Sequence, residues 1–148
     1  MHLTLHTDYA LRVLMLLALK PDAVHTVPGV ARRYGISRNH LMKVALTLVQ
    51  AGFVESIRGR NGGLKLAKMP DKIKLGDVVR STEDSFALVE CFDGKSNRCI
   101  VTPVCGLRTP LEEALSAFLA VLDRYTLADA VQPSSRNNRM RRLLDAVG

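Results

Sequence analysis

The sequence predicts a mainly α-helical protein: a winged helix-turn-helix, then a cysteine-bearing loop and a long helix suited to dimerisation. Three observations carry that expectation. A helical pattern, a glycine turn, a capping serine and a second helical pattern stand in that order before a glycine-rich hairpin. The formal charge of +7 lies wholly in the first half, where residues 1–70 hold ten Lys/Arg against Asp8, Asp22 and Glu55; the remainder carries eleven of each sign. The three cysteines, Cys91, Cys99 and Cys105, all fall in one segment of the second half.

The first helix is expected to open at Thr7-Asp8-Tyr9-Ala10, with Thr7 as N-cap and Asp8 in the first turn, where the helix dipole favours an anion. Leu11, Leu14, Met15 and Ala18 recur at helical spacing, and Ala10, Val13 and Leu17 widen the stripe, so this helix belongs in the core. Lys20-Pro21-Asp22 stops it. A short helix fits Val27 to Tyr34, with Pro28 tolerated in its first turn. Gly35 permits a tight turn, Ile36 plugs the angle, and Ser37 caps a third helix from Arg38 to Gln50. Leu41, Val44, Ala45 and Leu48 form its buried face, leaving Arg38, Asn39, His40, Lys43 and Thr47 outward. A cationic, amide-bearing first turn is the pattern of a recognition helix. Phe53 to Ile57 and Leu64 to Ala67 read as the strands of a wing. Its turn, Arg58-Gly59-Arg60-Asn61-Gly62-Gly63, would let the backbone approach a duplex while Arg58, Arg60 and Asn61 reach phosphate or a groove. Charge and motif order together point to double-stranded DNA.

In the second half a short helix is expected from Asp77 to Thr82. Thr109-Pro110-Leu111-Glu112 reads as a helix start, with Thr109 as N-cap and Glu112 bonding back. Beyond it run two apolar rows: Leu111, Leu115, Phe118 and Leu122, and Ala114, Phe118, Val121 and Tyr125. One row can pack on its own protomer and the other wants a partner helix, so we expect a homodimer, as paired DNA half-sites require. Thr126-Leu127-Ala128-Asp129 restarts a short helix, and Gln132 to Ser135 is a linker. The expected units are a winged helix-turn-helix domain over 1–70, a cysteine loop with dimerisation helix over 71–135, and a basic tail over 136–148.

The cysteines are spaced C-x7-C-x5-C in a polar, glycine-bearing loop. Three thiols are one short of an all-cysteine metal site, so a metal would borrow its fourth ligand. Soft thiolates admit an iron–sulfur cluster, zinc, or metal-free redox chemistry. The lack of a tight C-x2-4-C knuckle disfavours zinc, and wide spacing suits a cluster. No apolar run is long enough to span a membrane, no secretory leader is apparent, and a cytoplasmic location is expected, where thiols stay reduced. No glycine-rich phosphate cradle, acid–base pair or nucleophile set is present, so an enzyme is not expected.

From Leu3 to about Val131 the chain resembles the NsrR/IscR-type winged-helix iron–sulfur transcriptional regulators. The carrying motifs are Leu3 to Arg12, Tyr34 to Leu41 with Lys43, Gly52-Phe53-Val54, Arg58 to Leu64 with Leu66-Ala67, the cysteine triplet, and Tyr125-Thr126-Leu127. IscR-like proteins supply a histidine three residues after the last cysteine, where this chain has Arg108. Asp8, and the loop Thr102 to Leu107, resemble the nitric-oxide-sensing branch. The resemblance implies a homodimeric repressor of operator DNA, with nitric oxide as signal. It implies a cluster, four-iron rather than two-iron, on Cys91, Cys99, Cys105 and Asp8 of the second protomer, and operator release when that cluster is nitrosylated. The alternatives are an IscR-like regulator of cluster assembly and a cluster-free regulator of the same fold, controlled by thiols or a partner protein.

Overall fold

The computed structural model describes residues 2–132 and 135–147, with side chains described for all of these but 135–137. Its order is α1 (Leu5–Leu19), α2 (Val27–Tyr34), α3 (Arg38–Gln50), β1 (Val54–Ile57), β2 (Gly63–Leu66), α4 (Leu75–Thr82), α5 (Arg108–Asp123), α6 (Leu127–Ala130) and α7 (Ser135–Asp145). This is the mainly helical winged fold that the sequence predicts.

Around α1 the core closes. Leu14, Leu16 and Leu17 of α1 are buried with Leu41 and Leu48 of α3, Val78 of α4, Ile73 and Leu127. Burial of large aliphatic side chains at about 1.5–3 kcal/mol each makes this cluster the main source of stability. α2 and α3 have the bounds read from the sequence. Thr26 and Ser37 cap them by accepting from the N–H of Gly29 and His40, and Gly35 turns between them at φ 64°.

α1 starts earlier than expected. Thr4 is the N-cap, accepting from the Thr7 N–H at 3.3 Å. Glu83 selects it, since its Oε1 accepts from both the Thr4 N–H at 2.7 Å and the Thr4 hydroxyl at 3.0 Å. Thr7, freed from capping, is fully buried and donates to the Thr82 hydroxyl of α4 at 2.9 Å.

The wing pairs antiparallel, Val54 with Leu66 through Ile57 with Gly63. A bridge from His25 to Leu64 pins it to the segment before α2, with N···O distances of 3.0 and 2.8 Å. A Cβ on Gly63 would stand 2.6 Å from the His25 carbonyl oxygen, so that close approach needs glycine.

α5 also departs from expectation. It begins at Arg108, with Leu107 as N-cap and no capping side chain; Thr109 lies inside the helix. Glu112 takes the Arg108 guanidinium at 2.8 Å instead of reaching back to the backbone. The helix is fastened at its far end, where Arg80 of α4 grips Asp123 with two bonds of 2.6 and 2.7 Å. Gly76 lies beneath that carboxylate. None of the α5 residues is buried in the single chain.

The basic C-terminal residues form a docked helix. In α7, Leu144 is buried and Met140 packs on the core, while Asp145 pairs with Lys20, the C-cap of α1. Leu143 and Val147 are exposed. Of the expected linker, Pro133 and Ser134 lie outside the described residues, as does the Arg136 side chain.

Candidate nucleic-acid interface and metal centre

α3 presents Arg38, Asn39 and Lys43 to solvent, and the wing tip presents Arg58, Arg60 and Asn61. Among the described residues none of these four cations has an ion-pair partner, so their charge is available to phosphate. The tip is shaped by backbone. Gly59 has φ 108°, Gly62 N–H donates to Gly59 C=O at 2.9 Å, and a Cβ on Gly62 would stand 2.3 Å from the Ile57 carbonyl oxygen.

His40 and Thr47 are placed differently from the other expected contacts. Both are half-buried against α1. The His40 ring meets Tyr9 edge-on at 4.9 Å between centroids and stacks on His6 at 6.2 Å. Thr47 Oγ1 lies 3.1 Å from His6 Nε2. The sequence reading passed over His6 and Tyr9. Their i, i+3 spacing on one face of α1 was the available signal, but it names no partner.

The cysteine segment contributes nothing to the core: between Glu83 and Thr126 no residue is buried. Short 3-10 turns at Glu90–Phe92 and Thr102–Val104 shape it, with local bonds such as Asn97 Nδ2 to Thr102 Oγ1 at 3.2 Å. All three cysteines are free thiols; Cys99 is exposed, Cys91 and Cys105 half-buried. Arg108, bonded to Glu112, lies near Cys91. Among the described residues no three His, Cys, Asp or Glu side chains form a metal-binding group, so one chain alone does not bring Cys91, Cys99, Cys105 and Asp8 together. Asp8 is paired with Arg12.

The donor set nevertheless suits an iron–sulfur cluster. Three unbridged thiols on an irregular, solvent-facing segment can move towards a shared ligand without cost to the core. An exposed carboxylate on a separate helix can supply oxygen. Beside the segment, a cleft of about 530 Å³ opens between the N-terminal residues His2 and Leu3, the Phe86–Val89 strap, and Leu111, Leu115 and Phe118 of α5.

A recognition helix with free cations, a basic glycine-shaped wing and a long helix with no buried residue define a winged helix-turn-helix DNA-binding regulator. Residues 3–133 match the Rrf2 family, described as iron-dependent transcriptional regulators. The chain is 54% identical to the HTH-type transcriptional regulator NsrR of Bacillus subtilis over 133 residues, 89% of this chain and 91% of that one. It is 51% identical to the NsrR of Bacillus licheniformis, over 97% of this chain and 99% of that one. A solved structure of T. potens IscR superposes with a TM-score of 0.72 at 26% identity, covering 89% and 87% of the two chains. The protein belongs to the Rrf2 family of transcriptional regulators.

Proposed function

We propose that the protein is a homodimeric repressor that senses nitric oxide through an iron–sulfur cluster, four-iron rather than two-iron, and releases its operator in response. The observation that carries this reading is a separation of parts. The thiols sit on a segment with no core residue, and Asp8 sits on the helix that leads into the DNA-binding core.

Cys91, Cys99 and Cys105 would hold the cluster, with Asp8 of the partner subunit as fourth ligand. When bound, the cluster supplies iron with one weak oxygen ligand, open to a diatomic such as nitric oxide. The protein does the rest. Dimerisation through the apolar row that runs along α5 to the exposed Val121, and on to the exposed Tyr125 just beyond the helix, sets two recognition helices at a fixed spacing. Asp8, while held, ties the first turn of α1 to the other protomer. Arg12, ion-paired with Asp8 within one chain, would compete for that carboxylate and favour its release. The recognition helices then lose their spacing, and phosphate contacts that no longer fit cost affinity steeply. The compartment is the cytoplasm, where thiols remain reduced.

Native mass spectrometry of anaerobically purified protein tests the reading, paired with operator binding before and after nitric oxide. A dimer with two clusters that loses its operator on exposure is the expected result. A dimer bearing zinc or no metal after reconstitution would replace it with thiol or partner control. A two-iron mass with no nitric-oxide response would favour control of cluster assembly.

A further inference from the structure

The first turn of α1 is joined to the recognition helix by specific side-chain contacts, beyond packed apolar surface. The Thr47 hydroxyl donates to the Lys43 carbonyl at 3.2 Å, so its oxygen accepts from His6 Nε2–H at 3.1 Å. Nearer the start of α3, the His40 ring is wedged against Tyr9 and His6. His6 and Tyr9 flank Asp8 in sequence, while Thr7 between them reaches inward to Thr82. The first turn therefore grips α3 at both ends of the stretch that carries Lys43.

We propose that His6, Tyr9, His40 and Thr47 form a coupling cluster that sets the orientation of the recognition helix from the position of the first turn of α1. This makes His40 and Thr47 positioning residues, distinct from the exposed Arg38, Asn39 and Lys43 that face DNA. It rests on the reading of Asp8 as the residue whose attachment changes. The physical basis is rigidity: a hydrogen bond and an aromatic edge contact have defined geometry, so α1 and α3 move as one body. A displacement of the first turn then reaches the phosphate contacts instead of being absorbed between helices.

Operator affinity of the full-length, anaerobically purified protein tests this in a double-mutant cycle. The four proteins are wild type, Asp8→Asn, Thr47→Val and the double variant, with thermal melts confirming that each is folded. Asp8→Asn is expected to change operator affinity about fivefold or more in the wild-type background, and less than about twofold beside Thr47→Val. His6→Ala should likewise blunt the Asp8 effect. His6→Gln, whose amide can donate at similar reach, should restore it in part. An Asp8 effect of the same factor in every background overturns the coupling, and then Thr47 contacts DNA directly or not at all. No Asp8 effect in the wild type also overturns it. The nitric-oxide response of the wild type, measured alongside, reports separately whether the sensor reading stands.

Discussion

Asp8 and Arg12 are ion-paired across one turn of α1, with Oδ2 2.6 Å from Nη2 and Oδ1 3.0 Å from Nε. Both side chains are well exposed, so the pair contributes at most about 0.5 kcal/mol to folding. In the absence of a metal, Asp8→Asn should therefore leave the thermal melt within about 2 °C of wild type. In protein loaded with the cluster, the same substitution should alter the electronic spectrum and hasten iron loss. An unchanged spectrum would remove Asp8 from the ligand set.

The cysteines separate holding a metal from holding the fold. Cys91→Ala, Cys99→Ala and Cys105→Ala should each lower stability by less than about 0.5 kcal/mol, because no residue of that segment is buried. Each should nevertheless abolish stable iron and sulfide uptake, read by metal analysis beside circular dichroism. A variant that keeps full iron content would not be a ligand.

The wing offers a contrast between charge and shape. Arg60→Ala should weaken binding to all duplexes alike and reduce the salt dependence of log K by about 1 if Arg60 contacts phosphate. Gly62→Ala should weaken the operator more at unchanged charge. Its Cβ would meet the Ile57 carbonyl at 2.3 Å, and the tip must deform at a cost of about 1–3 kcal/mol. Binding titrations across a salt series distinguish the two.

Acid should loosen the fold in two stages. Burial pushes the His25 imidazole below its ordinary value of 6.5, against the hydrogen bond to the Lys20 carbonyl and with help from Arg33 and Lys20. The folded state therefore binds fewer protons than the unfolded one, and stability declines as pH falls below about 6.5. Glu83 acts lower. Burial raises its carboxyl, but hydrogen bonds from the Thr4 N–H and hydroxyl outweigh this and hold it below the ordinary 4.5. Its contribution is intact above that value and lost as pH falls through the depressed one. Melting temperature should be flat above pH 7, drop first near pH 6, and drop again below pH 4.5. His25→Gln should flatten the first step, and Glu83→Gln the second.

Local chemistry made α2 and α3 legible residue by residue. Pro28, Gly35 and Ser37 each act on the backbone within a few positions, so no distant partner had to be known. Cysteine spacing, wing glycines and charge asymmetry pointed to function in the same way, because they are properties of composition and order. The start of α1 was not legible. Thr4 and Thr7 are both competent caps, and Glu83, distant in sequence, decides between them. Thr109-Pro110-Glu112 misled for the converse reason, since Glu112 has Arg108 as a nearer and stronger partner.

The sequence by itself determined the fold class, the recognition helix, the wing and the set of candidate ligands. Tertiary structure alone decided that His40 and Thr47 turn onto α1, that α7 docks through Leu144, and that no residue of α5 is buried within one chain. Backbone propensities act over one turn, whereas the direction in which a half-buried side chain points is set by whichever distant element fills the space beside it.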